Sequence, residues 1–141
     1  MGVAMPGQSF TGQAAARPEE IAPLRTAVWQ LALDLGASDR VGNAIRVAVS
    51  EAITNVVLHA YVGRSPGKVT VDAWLEGGDH FTVRVLDEGH GLIPRADSPG
   101  LGLGMGLMAQ MADDFRVANR EGTPGTTVLL RFLLVASEEA G

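Results

Sequence analysis

The pattern between Ile45 and His59 constrains this chain more than any other stretch. Ile45, Val49, Ala52, Ile53 and Val56 recur at three- and four-residue steps, which draws one apolar stripe along an α-helix. Glu51 and Asn55 fall on the side away from that stripe, stacked one turn above the other, and His59 adds a further turn to the same edge. A carboxylate and a carboxamide so placed suit a phosphate site. The carboxylate can take a proton from a hydroxyl or water nucleophile. The amide oxygen is a neutral ligand for a hard cation such as Mg²⁺. An amphipathic helix with a solvated polar edge accounts for the same residues, so the helix alone does not decide.

A second stretch adds to the first. Phe81, Val83 and Val85 alternate with Thr82, Arg84 and Leu86, which predicts a strand. Asp87 continues the Phe81–Val83–Val85 register, so its carboxylate points to the face those residues bury and needs a partner there. The exocyclic amine of an adenine is a suitable one. Gly89 and Gly91 let the backbone turn tightly and approach a flat ring, although a plain turn after a strand reads equally from these residues.

Between Gly89 and Gly106 there are six glycines, and Leu92 to Leu103 has two prolines and no period. That predicts a loop over the site. Gly104-Met105-Gly106 is read as opening a helix, Leu107 to Ala112, whose N-terminus can face a phosphate chain. No Lys-Ser or Lys-Thr follows the glycines, so this is not a Walker A loop.

The remaining elements follow in order. Residues 1–8 read as a disordered N-terminus, residues 9–135 as one domain, and residues 136–141 as a frayed tail. Ser9 to Ala16 suits a short edge strand. Arg17-Pro18-Glu19-Glu20 starts a helix that carries Ile21, Leu24, Val28, Leu31, Ala32 and Leu35 and stops at Gly36. Ser38 caps the second helix, Asp39 to about His59. Lys68 to Leu75 and His80 to Leu86 form a hairpin around Gly77-Gly78-Asp79, and Phe115 to Asn119 and Thr126 to Leu134 are the last two strands. This order predicts an α+β two-layer sandwich, with helices on one face of a mixed sheet.

Composition narrows the functions. The 141 residues, 46% of them hydrophobic, suffice for one domain with one core. No cysteine is present, which removes disulfides and thiolate metal sites. No apolar run approaches the ~20 residues of a membrane span and no leader pattern opens the chain, so a cytoplasmic location without membrane contact is expected. A net charge of −5 argues against direct nucleic-acid binding.

The three stretches in this order, E-x-x-x-N on a helix, D-x-G-x-G after a strand and G-x-G before a helix, resemble the Bergerat-fold ATP-binding superfamily (GHKL, or HATPase), which includes gyrase and histidine kinases. Ser50 to Tyr61, SEAITNVVLHAY, is most similar to its anti-sigma factor serine/threonine kinases, and the resemblance runs from about Arg17 to Phe132. It implies ATP and Mg²⁺ as cofactors and phosphorylation of a serine on an anti-anti-sigma (STAS) protein, with a sigma factor as second partner and a homodimer as the working unit. Glu51 would be the general base. Asn55 would hold the metal and Asp87 would read adenine. Gly89, Gly91, Gly104, Met105 and Gly106 would shape the pocket and lid. The G-x-x-G-T from Gly122 to Thr126 resembles the superfamily's last glycine box, with Thr126 sharing a water with Asp87 at the adenine. Arg25 would contact the partner protein. Two other readings stay open: an ATP-binding switch module without kinase activity, since Arg95 is the only basic residue of a short lid, and a detached histidine-kinase ATPase domain.

Overall fold

The structure, a computed structural model, describes residues 9–90 and 100–134. Strand β1 (Ser9–Ala15) leads through a 3₁₀ turn (Pro18–Glu20) into α1 (Ile21–Asp34) and α2 (Asp39–Asn55). A π-helical segment (Val56–Ala60) extends α2, and the hairpin β2 (Lys68–Glu76) and β3 (His80–Asp87) follows. Then come α3 (Gly100–Met111), β4 (Asp114–Asn119) and β5 (Thr126–Leu133).

The helix boundaries follow from local chemistry. Pro18 sits in the first turn before α1 with Glu19 and Glu20 beside it, where a missing N–H is harmless and acids favour the helix dipole. Gly36 stops α1 at φ +106°, with Gly36 N–H on Leu33 O (3.0 Å) and Ala37 N–H on Ala32 O (2.9 Å), a Schellman closure that needs a left-handed residue. Ser38 Oγ accepts the Val41 N–H at 3.2 Å and starts α2 as predicted. Gly42 lets the two helices close, because a Cβ there would lie 2.9 Å from Leu33 Cδ2.

The sheet order is β1-β2-β3-β5-β4. Every neighbouring pair is antiparallel, where the sequence reading expected a mixed sheet. The cause is the connections. Two successive helices, α1 and α2, return the chain so that β2 runs against β1. The single helix α3 makes β3 and β4 parallel, but β5 lies between them and the parallel pair never touches.

One face of this sheet packs under the helices. Val71, Val85 and Val128 make one cross-strand row, and Ala73, Val83 and Leu130 the next. Phe81 pairs with Phe132. All are buried, together with Ile45, Ala48, Val49, Ala52 and Ile53 of α2, which packs between α1 and α3. Each large apolar side chain so buried is worth about 1.5–3 kcal/mol. With its π extension α2 is 22 residues long, enough by length and composition to cross a membrane, but its apolar stripe is already taken up by this core. The outer face is polar and cross-linked: Arg84 pairs with Asp72 at 2.8 Å and stacks on Trp74, and Arg131 reaches Glu76 at 3.2 Å.

Two further helix expectations need correction. The second helix is α-helical only to Asn55. The wider π turn over Val56–Ala60 breaks the four-residue stacking, so His59 does not simply extend the Glu51–Asn55 edge. Helix α3 begins at Gly100, not after Gly106. Met108 is fully buried and Met105 and Met111 pack against the core, so the docked end anchors the helix. Most helical stability comes from such packing rather than from propensity, so the helix forms although each glycine costs ~1 kcal/mol. The rest of the expected lid, with Gly91 and Arg95, lies outside the described residues, as do the termini.

Candidate functional site

Asp87 occupies the position on the inward face of β3 where the next apolar residue would stand, opposite Val69 of β2. It is 6% exposed. A carboxylate there costs several kcal/mol unless its oxygens are used. One oxygen, Oδ1, accepts the Gly89 N–H at 2.9 Å and the Thr126 N–H at 3.2 Å. Burial pushes the Asp87 pKa up; those two N–H groups and, beyond them, Arg120 and Arg64 pull the other way. The sequence placed this carboxylate on the right face, and the structure adds its partners.

The turn that follows is fitted against two other segments. A Cβ on Gly89 would collide with the Ala60 carbonyl, which also accepts the His90 N–H at 2.9 Å. Tyr61 is buried; its hydroxyl donates to Lys68 O at 2.6 Å and accepts the Glu88 N–H at 2.8 Å. Burial raises the Tyr61 pKa, so this proton stays in place at neutral pH. His90 Nε2 lies 2.7 Å from the Val62 carbonyl. The end of the helix carrying Glu51 and Asn55 is therefore tied directly to the turn carrying Asp87.

From the other side, Gly125 packs on the Asp87 carbonyl with φ +125°, and a Cβ there would collide with that oxygen. Gly125→Ala therefore meets both a disfavoured backbone conformation and an overlap with backbone that cannot rotate away. A loss of about 2–4 kcal/mol is expected, read as a lower midpoint in urea denaturation. Gly106→Ala, with nothing near its Cβ, is the control expected to hold wild-type stability or gain slightly.

Glu51 and Asn55 are both half-buried on α2. Among the described residues, Asn55 Nδ2 is buried with no hydrogen-bond partner. A buried unpaired amide costs about 1–3 kcal/mol, which points to a group that completes it. Among the described residues no three His, Asp or Glu side chains cluster to hold a metal. The unpaired atom is an N–H donor, which suits a phosphate oxygen, and the oxygen of the same amide suits a cation held otherwise by phosphates and water, the usual habit of Mg²⁺. Gly104, Met105 and Gly106 lie inside α3, so the free N–H groups of its first turn belong to Gly100–Leu103 instead. Met105 packs on the core.

Arg25 reaches across from α1, with Nη1 3.5 Å from Ser50 Oγ, the neighbour of Glu51. With Arg46, Val47 and Ser50 it lines a shallow cavity of about 270 Å³, and its Nε is buried without a partner among the described residues. The structure thus joins Asp87, Gly89 and Thr126 in direct contact, links them to the Asn55 helix through Ala60 and Tyr61, and sets Arg25 against Ser50, the residue before Glu51. Tyr61, Arg64, His90 and Arg120 were missed as site residues. Tyr61 had a signal, being the chain's single tyrosine at the end of the helix motif; the others had none.

A sheet layered under helices, with a carboxylate sunk at the end of a central strand, is the architecture expected of a Bergerat-type ATP-binding domain. A family model described as a histidine kinase-like ATPase domain matches residues 14–132, and the chain belongs to that family. Its relatives put it on the anti-sigma branch, as the motifs implied. The anti-sigma F factor of Thermoanaerobacter sp. (strain X514) is 31% identical over 118 residues, covering 76% of this chain and 79% of that protein. The serine-protein kinase RsbW of Listeria monocytogenes serotype 4a (strain HCC23) is 39% identical over 80 residues, 57% of this chain and 50% of that one. A solved structure of the RsbU and RsbW domains of a Mycobacterium tuberculosis protein superposes with a TM-score of 0.70 at 21% identity, covering 92% of this chain and 32% of that chain, and supports the fold.

Proposed function

We propose that this chain is a cytoplasmic ATP-dependent serine kinase of the anti-sigma type, which phosphorylates a serine on an anti-anti-sigma (STAS) protein and binds a sigma factor. The observation that carries this reading is the Asn55 Nδ2, buried without a partner among the described residues, one helical turn from Glu51 on a helix whose end is tied to the Asp87 turn. The relatives named an anti-sigma factor and a serine-protein kinase support it from outside the structure.

In this reading ATP is the phosphoryl donor. Asp87 accepts the adenine amine, with Gly89 giving the ring close access and Thr126 completing that end of the pocket. The partner's serine oxygen attacks the γ-phosphorus as the bond to the ADP oxygen breaks, and Glu51 takes the serine proton. Asn55 would hold Mg²⁺, which when bound neutralises phosphate charge. The segment Gly104-Met105-Gly106 carries the helix beneath the phosphate end, and Arg25 meets the partner. Most of the acceleration in such transfer is positioning and charge compensation.

The test is transfer from radiolabelled ATP to a panel of STAS proteins from the same genome. Label on a STAS serine is the expected result. A chain that binds ATP and a sigma factor but labels no STAS protein is a switch without kinase activity, and the kinase reading fails.

A further inference from the structure

Two arginines to which the proposed chemistry gives no role converge on the Asp87 turn from different loops. Arg120, half-buried after β4, donates from Nη1 to the Asp87 carbonyl at 3.1 Å, and its own peptide N–H goes to Gly125 O at 3.0 Å. Arg64 donates from Nη2 to the Glu88 carbonyl at 3.0 Å and lays its guanidinium over the Tyr61 ring, 5.4 Å from the centroid. Between these two carbonyls lies the Glu88 N–H, taken by the Tyr61 hydroxyl. Asp87 C=O, Glu88 N–H and Glu88 C=O are consecutive backbone groups, and all three end on side chains from other segments. Bonds from a guanidinium are charge-assisted and roughly twice as strong as neutral ones.

We infer that Arg64 and Arg120 are positioning residues for nucleotide recognition: they clamp the two carbonyls of the turn and so fix the aim of the Asp87 carboxylate at the adenine. This rests on the adenine site proposed above. Neither arginine has to touch the nucleotide. A one-residue rotation of this turn would carry the Gly89 N–H off Oδ1 and swing the carboxylate with it, and the two guanidiniums oppose that rotation from both ends.

The same charges bear on the ionisation of Asp87. Burial resists ionisation, the Gly89 and Thr126 N–H groups favour it, and Arg120 and then Arg64 add to them. Among the described residues, the other titratable side chains at this turn are Tyr61, from the segment after the π turn, Glu88, next to Asp87 itself, and His90, held at the Val62 carbonyl. Val69 of β2 and Thr126 of β5 bring no charge to its flanks.

The experiment measures the Asp87 carboxyl titration by carbon NMR in the nucleotide-free protein, and the Mg·ADP dissociation constant by calorimetry, for the wild type and for Arg120→Ala, Arg120→Lys, Arg64→Ala and Arg64→Lys. Arg120→Ala is expected to move the Asp87 midpoint upward and weaken ADP about 3- to 30-fold at neutral pH. Arg64→Ala does the same to a smaller extent, because Arg64 is exposed and screened. Lysine at either place restores most of the midpoint and only part of the affinity, since an ammonium lacks the guanidinium's fork. An unchanged ADP constant in both alanine variants overturns the inference while the adenine site stands. So does a loss of affinity with no movement of the midpoint and no rescue by lysine, which marks a merely structural role. A wild-type chain that binds no ADP overturns the adenine site itself. If Arg120→Ala does not fold, Arg120→Gln, which keeps a donor and drops the charge, takes its place with the same expected midpoint shift.

Discussion

Glu51→Ala is expected to slow phosphoryl transfer to the STAS partner by about 10²–10⁴-fold, the usual contribution of a positioned general base. ATP affinity should stay close to wild type, because the base meets the nucleophile and not the nucleotide. The loss should therefore appear in the rate at saturating ATP. Asn55→Ala supplies the contrast: it removes the amide whose Nδ2 has no partner among the described residues, and should weaken Mg·ATP binding as well as transfer. Single-turnover measurements with prebound ATP separate the two. Transfer by Glu51→Ala at the wild-type rate would remove Glu51 from the role of base and leave the fold and the adenine site untouched.

The second large effect concerns Asp87. Asp87→Ala removes the acceptor of the adenine amine and leaves the Gly89 and Thr126 N–H groups without the oxygen they share. Loss of one charged hydrogen bond, with the turn released, is expected to weaken adenine nucleotides by about 10²-fold. Asp87→Asn is the more informative change. Its oxygen can still receive the two N–H groups, but its NH₂ faces the amine of adenine donor to donor and suits the carbonyl of guanine. Preference for adenine over guanine should narrow, and a calorimetric comparison of ADP with GDP reads it directly. Acid should act in the same direction. Burial raises the Asp87 pKa in the folded chain, so protonation begins above the ordinary aspartate value near 3.9. Nucleotide affinity should fall as the pH drops through that raised pKa, because Oδ1 already takes the Gly89 and Thr126 N–H groups and a proton would occupy the oxygen left to accept the amine. The contribution to folding has the opposite sign. A raised folded pKa favours the native state below the unfolded value, and that gain is lost as the pH rises through the folded one. An acid limb of binding that persists unchanged in Asp87→Asn would assign the proton to another group.

Much of this site could be read from local pattern. The alternation through Phe81, Val83 and Val85 put Asp87 on the inward face, and the helical stripe put Glu51 and Asn55 away from the core, because both follow from the geometry of a single element. Ser38, Gly36 and the Gly77-Gly78 turn were legible for the same reason. The π turn at Val56–Ala60 was not, since its last carbonyl, Ala60 O, is met by the His90 N–H, 30 residues on in sequence. The start of α3 was misplaced because glycines read as loop wherever the anchor, here Met108, lies downstream. The sheet's antiparallel order was hidden in the number of helices between strands. Arg64 and Arg120 left no local trace, since each is defined by a carbonyl on another loop.

The Asp87 site is also stitched from remote parts of the chain: 27 residues separate Tyr61 from Glu88, 33 separate Arg120 from Asp87, and 39 separate Thr126 from Asp87. Such links require long loops to close, so the pocket exists only when distant parts of the chain have come together. Fraying of β5 from β3 at this end dismantles it. A nucleotide that binds only the assembled pocket therefore draws its stabilisation through the whole sheet, about 2.7 kcal/mol at a hundred times its dissociation constant. If the pocket binds adenine nucleotide as proposed, the supply of that nucleotide sets part of the chain's resistance to unfolding.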